Sequence, residues 1–189
     1  EWNLIWHHDS IRNNHQAFYL MCFFMEITNK ISPPEDLFEY HAENTEMIGI
    51  FSTLSNAIVL LEKSLKDNHF YPHSHTVIFF TKLFLYTGIY PEREHCTLCG
   101  AELITFNDMY LLSEEGGFAC PPCVNQRKSY SVQSGRELWE LMGHISHKKY
   151  HELSDMKIEF KSLPKMLFHY FCFQNHFEEK DFKSQAMVF

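Results

Sequence analysis

The sequence is poor in positive charge. Its 189 residues include 16 Lys and Arg against 24 Asp and Glu, which gives a formal net charge of −8 at pH 7. An acidic chain of this kind is unsuited to coating duplex DNA along its whole surface, because the phosphate backbone requires a broad basic face. A local basic face is compatible with the sequence only in residues 124–189, which hold ten Lys and Arg against eight Asp and Glu.

Long apolar runs and the common catalytic motifs are also missing. No apolar run reaches the roughly 20 residues that a membrane-spanning helix needs. The sequence contains no glycine-rich dinucleotide-binding motif, no P-loop and no His-Glu-x-x-His pair. We therefore expect a protein that is not an enzyme, that takes no small-molecule substrate and that does not enter a membrane.

Two Cys-x-x-Cys pairs are the most specific feature that is present. Cys96 and Cys99 form the first pair, and Cys120 and Cys123 form the second after twenty intervening residues. This spacing is typical of a four-thiolate zinc site, in which all four ligands come from the protein and none from water. We expect one structural Zn²⁺ here. Two disulfides, or four free thiols that meet by chance, are the alternatives.

Apolar periodicity predicts three helices before the cysteine motif, over residues 9–30, 46–67 and 73–87. The predicted inner face of the first helix consists of Phe18, Met21, Cys22 and Met25, and Leu20, Phe24 and Ile27 widen it. That of the second consists of Phe51, Leu54, Ile58, Leu61 and Leu65. Because short links join the three helices, their apolar faces should bury one another in a bundle.

Shorter elements are predicted within and after the cysteine motif. Residues 103–106 and 109–112 have the composition of short strands. Ser134 and Glu137 form a capping box in front of a helix that Gly143 should end or kink. Ser162 should begin a last helix, which is apolar on nearly all sides and therefore should lie in the core or under a partner.

The expected fold is mainly α, a helical bundle with an inserted four-cysteine zinc finger that contains a small β ribbon. We divide the chain into residues 1–95 (first part of the bundle), 96–128 (the finger) and 129–189 (helices that complete the bundle). A ribbon this small cannot bury enough apolar surface to fold alone, so the metal should supply the missing stability.

A group of histidines offers a weaker alternative. His144, His147 and His151 share one face if their segment is helical, which would suit a second metal site and a hydrolase. Histidines on a polar face are usually solvated, however, and no carboxylate is placed to orient them.

The order of these features resembles the RecO family of bacterial DNA repair proteins. The residues that carry the resemblance are the phrase at 82–91 that runs into Cys96, the Gly116-Gly117 pair before Cys120, the Ser-led helix at 131–142, and Lys183-Ser184 near the end. Members of that family begin with an OB barrel. No run of five strands precedes the first helix here. We expect residues 1–8 to be the end of a barrel that is missing from this chain, and the alternative is that the chain never had one.

The resemblance implies a recombination mediator without enzymatic activity, which helps to load a recombinase and to anneal strands on single-stranded DNA covered by the single-strand-binding protein SSB. It implies single-stranded DNA, the acidic C-terminal tail of SSB and a RecR-like protein as partners. It also implies a cytoplasmic, nucleoid-associated location in a bacterium, where reduced thiols persist. The alternative is a zinc-stabilised protein-interaction adaptor with no DNA contact of its own.

The basic residues after the cysteine motif are the candidates for binding a single strand or an acidic tail. They are Arg127, Lys128, Arg136, Lys148 and Lys149. The competing interpretation is that they are solvated charges on helix surfaces, as scattered Lys and Arg usually are.

Overall fold

Helices dominate the computed structural model, which describes residues 8–32, 45–125 and 135–189. The predictions for residues 1–7 and for a cap at Ser134 lie outside these ranges. The described residues form seven α-helices and one two-stranded ribbon beside a cluster of four cysteines, so the predicted fold class is confirmed. No helix in the described ranges combines the length and the apolar character that crossing a membrane requires.

The first predicted helix is two helices, α1 (Asp9–Arg12) and α2 (His15–Ile31). The prediction of one helix over residues 9–30 was wrong because Asn14 adopts an extended conformation and caps α2, its side chain accepting from the Ala17 N–H at 3.0 Å. Asparagine is among the strongest N-cap residues, so it competes effectively with continued helix. The Glu62 carboxylate holds α1 by accepting backbone N–H bonds from its first turn.

The predicted inner face of α2 was right only in part. Leu20, Phe24 and Ile27 are buried as predicted, together with Ala17 and Phe23, whereas Phe18 and Met25 are 41% and 49% exposed. In the same way Phe51 is 68% exposed on α3 (Thr45–Lys66). Both helices carry apolar residues on more than one face, so periodicity alone does not decide which face is buried.

Helix α4 (Pro72–Thr87) runs through the centre of the fold. Every residue from Ser74 to Phe84 is buried, and α4 contacts α2, α3 and the two helices that lie in residues 136–174. Pro72 suits the first turn because its missing N–H has no helical partner there. Gly88 ends the helix in the left-handed conformation at φ 71°, as the sequence predicts.

The last helix, α7 (Leu163–Gln174), lies against α4 in the core, which confirms its prediction. Aromatic rings fill the space around it. The Phe168 ring is 5.3 Å from that of Phe23, and the Phe171 ring is 5.7 Å from that of Phe80. Tilted and edge-to-face pairs of this kind each contribute about 0.5–1.5 kcal/mol beyond the burial of their area.

Helix α6 (Arg136–His147) passes through Gly143, so the prediction that the helix could end there was wrong. A Cβ at Gly143 would lie 2.3 Å from a guanidinium nitrogen of Arg93. The glycine therefore makes room for a packed side chain and does not terminate the helix. A 3-10 turn at Tyr150–Leu153 follows.

The ribbon between the cysteine pairs consists of β1 (Tyr110–Leu112) and β2 (Gly117–Ala119), which are antiparallel. The predicted strand at 103–106 was wrong, because Leu103–Thr105 is a 3-10 turn that buries Leu103. A run of four residues with one buried position carries too little periodicity to distinguish a strand from a turn. A short helix, α5 (Pro121–Asn125), follows β2.

Candidate metal centre

Four cysteine sulfurs converge beside the ribbon. The Sγ atoms of Cys96, Cys99, Cys120 and Cys123 all lie within 4.8 Å of one another. All four thiols are free, and the sulfurs of Cys99 and Cys120 are 3.7 Å apart. A disulfide requires about 2.05 Å, so the arrangement is that of a ligand cluster.

The first pair is held in a tight turn. The Gly100 N–H donates to the Cys96 carbonyl, and the Cys96 N–H donates to the Ala101 carbonyl, both at 2.8 Å. Gly100 closes the turn at φ 74°, a conformation that an L side chain rarely adopts. The chain therefore reverses within the pair and brings both sulfurs to one side.

The second pair is placed by β2 and α5. The Cys123 and Val124 N–H groups both donate to the Cys120 carbonyl, so Cys120 directly precedes the first turn of α5 and accepts its first bonds. Two further bonds join the pairs directly. The Thr97 N–H donates to the Phe118 carbonyl at 3.0 Å, and the Cys120 N–H donates to the Cys96 sulfur at 3.3 Å.

The centre is built onto the helical body and has no core of its own. The Phe118 N–H donates to the Glu92 carbonyl, and the Tyr170 hydroxyl of α7 donates to the carbonyls of Ile89 and Gly116. A Cβ at Gly117 would lie 2.7 Å from Thr97 Cγ2, so this strand packs too closely for any side chain at that position. The chain segment before the first pair thus lies directly on β2.

The sulfurs differ in their electrostatic environment. Burial acts to raise the pKa of Cys96, but bonds from the backbone N–H groups of Cys120, Leu98 and Cys99 outweigh it and lower that pKa to about 7. Burial and the neighbouring sulfurs of Cys99 and Cys120 raise the pKa of Cys123 to about 12. Four thiolates at this distance repel one another, and a bound cation removes that repulsion and deprotonates all of them.

The four cysteines can therefore hold one metal ion. Cys96 and Cys120 are buried while Cys99 is exposed, so the centre lies at the surface with two ligands in the interior. Within residues 8–32, 45–125 and 135–189 no second group of three or more His, Cys, Asp and Glu side chains converges in this way. The histidines at 144, 147 and 151 accordingly form no ligand cluster.

The structure describes three of the five predicted basic residues. Arg127 and Lys128 lie outside the described residues. Arg136 is engaged within the fold, since its guanidinium pairs with Glu140 at 2.6 Å and donates to the Phe106 carbonyl at 2.9 Å. Lys148 and Lys149 follow α6 and line a pocket of about 440 Å³.

The same pocket contains basic residues that sequence reasoning missed. Lys63 of α3 and Lys82 of α4 line it together with Lys148 and Lys149, and we call it the lysine pocket. Nothing in the sequence distinguishes Lys63 and Lys82 from ordinary surface charges, because only the packing of α3 and α4 against the segment after α6 brings these residues together.

Comparison of this chain with models of known protein families, with curated proteins and with solved structures finds no match.

Proposed function

We propose that this chain is part of a RecO-like recombination mediator, a non-enzymatic protein that acts on SSB-coated single-stranded DNA. The observation that supports the proposal most directly is the four-cysteine centre, built onto a helical body in the order helix, cysteine pair, ribbon, cysteine pair, helix. That order is the one on which the family resemblance rests. The centre offers no open ligand position, so its role is to fix the ribbon and not to catalyse a reaction.

Zinc is the metal that suits this donor set. Four thiolates around Zn²⁺ at about 2.3 Å form a tetrahedron with edges of about 3.8 Å. The 3.7 Å separation of the Cys99 and Cys120 sulfurs is close to that length. Zn²⁺ also carries no redox activity that could oxidise its ligands, in keeping with a structural site.

The lysine pocket is the feature of the helical body that supports an anionic partner. Its four lysines gather positive charge on a chain whose net charge is −8. Single-stranded DNA and the acidic tail of SSB both present negative charge to such a surface, and a RecR-like protein is the third proposed partner.

The test is binding and annealing of single-stranded DNA by the protein, with and without SSB. The pocket variant replaces Lys148 and Lys149 by glutamine, and the control replaces Lys157 and Lys180, which pair with Glu159 and Glu178 elsewhere on the surface. The pocket variant should bind strands more weakly than the parent. The slope of the logarithm of the binding constant against the logarithm of the salt concentration should become shallower by about 1.4, because two phosphate contacts are lost. The control, with the same net charge, should retain the parent behaviour.

A protein-interaction adaptor is the second candidate, and the acidity of the chain favours it. The two are distinguished by the same experiment. An adaptor shows no affinity for single-stranded DNA or for the SSB tail at low salt and no annealing, and this result would exclude the mediator.

A further inference from the structure

The lysine pocket is lined by cationic and uncharged side chains alone. Besides its four lysines, the lining comprises His151, two tyrosines, Asn56, Val59 and Leu60, with no carboxylate. Glu152 lies outside the lining and accepts a bond from the Lys149 backbone N–H at 2.7 Å. The pocket therefore concentrates positive charge.

The pocket lysines have no carboxylate paired with their ammonium groups. Lys66, Lys157 and Lys180, by contrast, each pair with a carboxylate outside the pocket. Lys63, Lys82, Lys148 and Lys149 form no ion pair with any described residue. Glu152 acts electrostatically on Lys82, Lys148 and Lys149 without forming an ion pair, and the remaining charge is left for an external anion or for solvent.

Lys82 differs from the other three pocket lysines because it is buried. The residue is 7% exposed, and its ammonium donates to the carbonyls of Ser146 and Lys148 at the end of α6. An ammonium has three N–H donors, so one remains without an acceptor among the described residues. Burial of a cation is costly, and an anion in the adjoining pocket reduces that cost.

The uncharged part of the lining adds a flat ring. Tyr86 is 49% exposed, and its other side lies against Gly49, where a Cβ would be only 2.4 Å from the ring. One side of the Tyr86 ring therefore packs against Gly49, while the other side remains open to solvent. A ring beside a group of lysines suits a ligand that combines a base with phosphate, since bases stack on aromatic faces with little regard to sequence.

We propose that the lysine pocket binds a terminal phosphate of a nucleotide, with the phosphate among Lys63, Lys82, Lys148 and Lys149 and the base against Tyr86. A phosphomonoester carries about −1.5 to −2 charge at pH 7, more than an internal phosphodiester, and so makes better use of four lysines. The volume of about 440 Å³ is in the range of small-ligand sites. The proposal goes beyond the proposed function, which requires only that strands bind.

The experiment compares thymidine strands of about ten nucleotides that carry a phosphate at the 5′ end, at the 3′ end or at neither end, with an internal fluorophore for anisotropy. A strand of about twelve nucleotides with hydroxyl ends has nearly the same total charge and controls for non-specific attraction. We expect one of the phosphorylated ends to bind about tenfold more tightly than this control, because hydrogen bonds to charged groups are worth more than one decade in affinity. Free thymidine monophosphate, used as competitor, distinguishes a free nucleotide from a strand end as the natural source.

Two variants on the same helix locate the site. Lys63→Gln removes a pocket lysine, and Lys66→Gln removes one that pairs with Glu62 outside the pocket. Lys63→Gln should abolish most of the preference for a terminal phosphate, and Lys66→Gln should leave it intact, with circular dichroism confirming the fold of both. Equal affinity for phosphorylated and charge-matched strands would overturn the proposal while leaving the mediator function standing. An acidic peptide serves as a second competitor. If it displaces the strand from the parent protein and thymidine monophosphate does not, the phosphate-site proposal is overturned. Absence of any strand binding would also overturn the proposal.

Discussion

Arg93 and Trp139 hold each other by reciprocal hydrogen bonds. The Arg93 guanidinium donates to the Trp139 carbonyl at 2.8 Å and 3.2 Å, and the Trp139 indole N–H donates to the Arg93 carbonyl at 2.8 Å. The guanidinium also lies 4.6 Å from the centre of the indole ring. Since Arg93 precedes the first cysteine pair and Trp139 follows the second, this contact closes the chain around the metal centre.

Loss of that contact should destabilise the whole chain. We expect Arg93→Ala to lower the free energy of unfolding by about 2–4 kcal/mol, because charged hydrogen bonds and a cation–π contact are lost together. Chemical denaturation measures the change. Arg12→Ala, at an exposed position on α1, is the matched control and should change stability by less than about 0.5 kcal/mol. Equal effects of the two substitutions would contradict the prediction.

Gly143 should be coupled energetically to Arg93. A Cβ at this position meets the guanidinium at 2.3 Å, so Gly143→Ala should displace Arg93 and cost about 1–3 kcal/mol in spite of the better helix propensity of alanine. In the Arg93→Ala background the same substitution has nothing to displace and should become neutral or stabilising. A double-mutant cycle measures this coupling, and additive effects would show that the clash does not occur.

His75 should make stability depend on pH. It is buried, its Nε2 is 2.9 Å from the Ser64 hydroxyl, and burial lowers its pKa from 6.5 to about 4. Between those values the unfolded chain binds a proton that the folded chain does not, so stability rises with pH from about 4 to about 6.5. Full loss of this contribution in acid is of the order of 3 kcal/mol.

The measurement is the free energy of unfolding of the parent and of His75→Gln at several pH values. The parent should lose stability more steeply than the variant between pH 6.5 and 4, and the two slopes should agree above pH 7. Parallel curves throughout would show that His75 does not titrate on unfolding. The comparison of slopes cancels the protonation of the cysteines, which both proteins share.

The parts of the fold that could be predicted from the sequence are those that local chemistry determines. The Cys-x-x-Cys spacing predicted a cluster, and Gly88 and Pro72 predicted the ends of α4, because each residue imposes its own geometry. The exposed side of α2 could not be predicted, since Phe18 and Phe24 are equally apolar and only the position of α4 decides which is buried. Lys63 and Lys82 were missed for the same reason, because a pocket shared by distant segments leaves no local pattern.

The metal centre tests the account most directly, through the metal content of the purified protein and its response to substitution. We predict one zinc per chain by elemental analysis, loss of the metal in Cys120→Ser, and retention in Cys172→Ser, where a buried cysteine of α7 lies outside the cluster. Removal of zinc by a chelator should unfold residues 92–125, which include the ribbon, because a structural site supplies folding free energy. A chain that contains no zinc, yet keeps the ribbon folded when purified without chelator, would contradict the account.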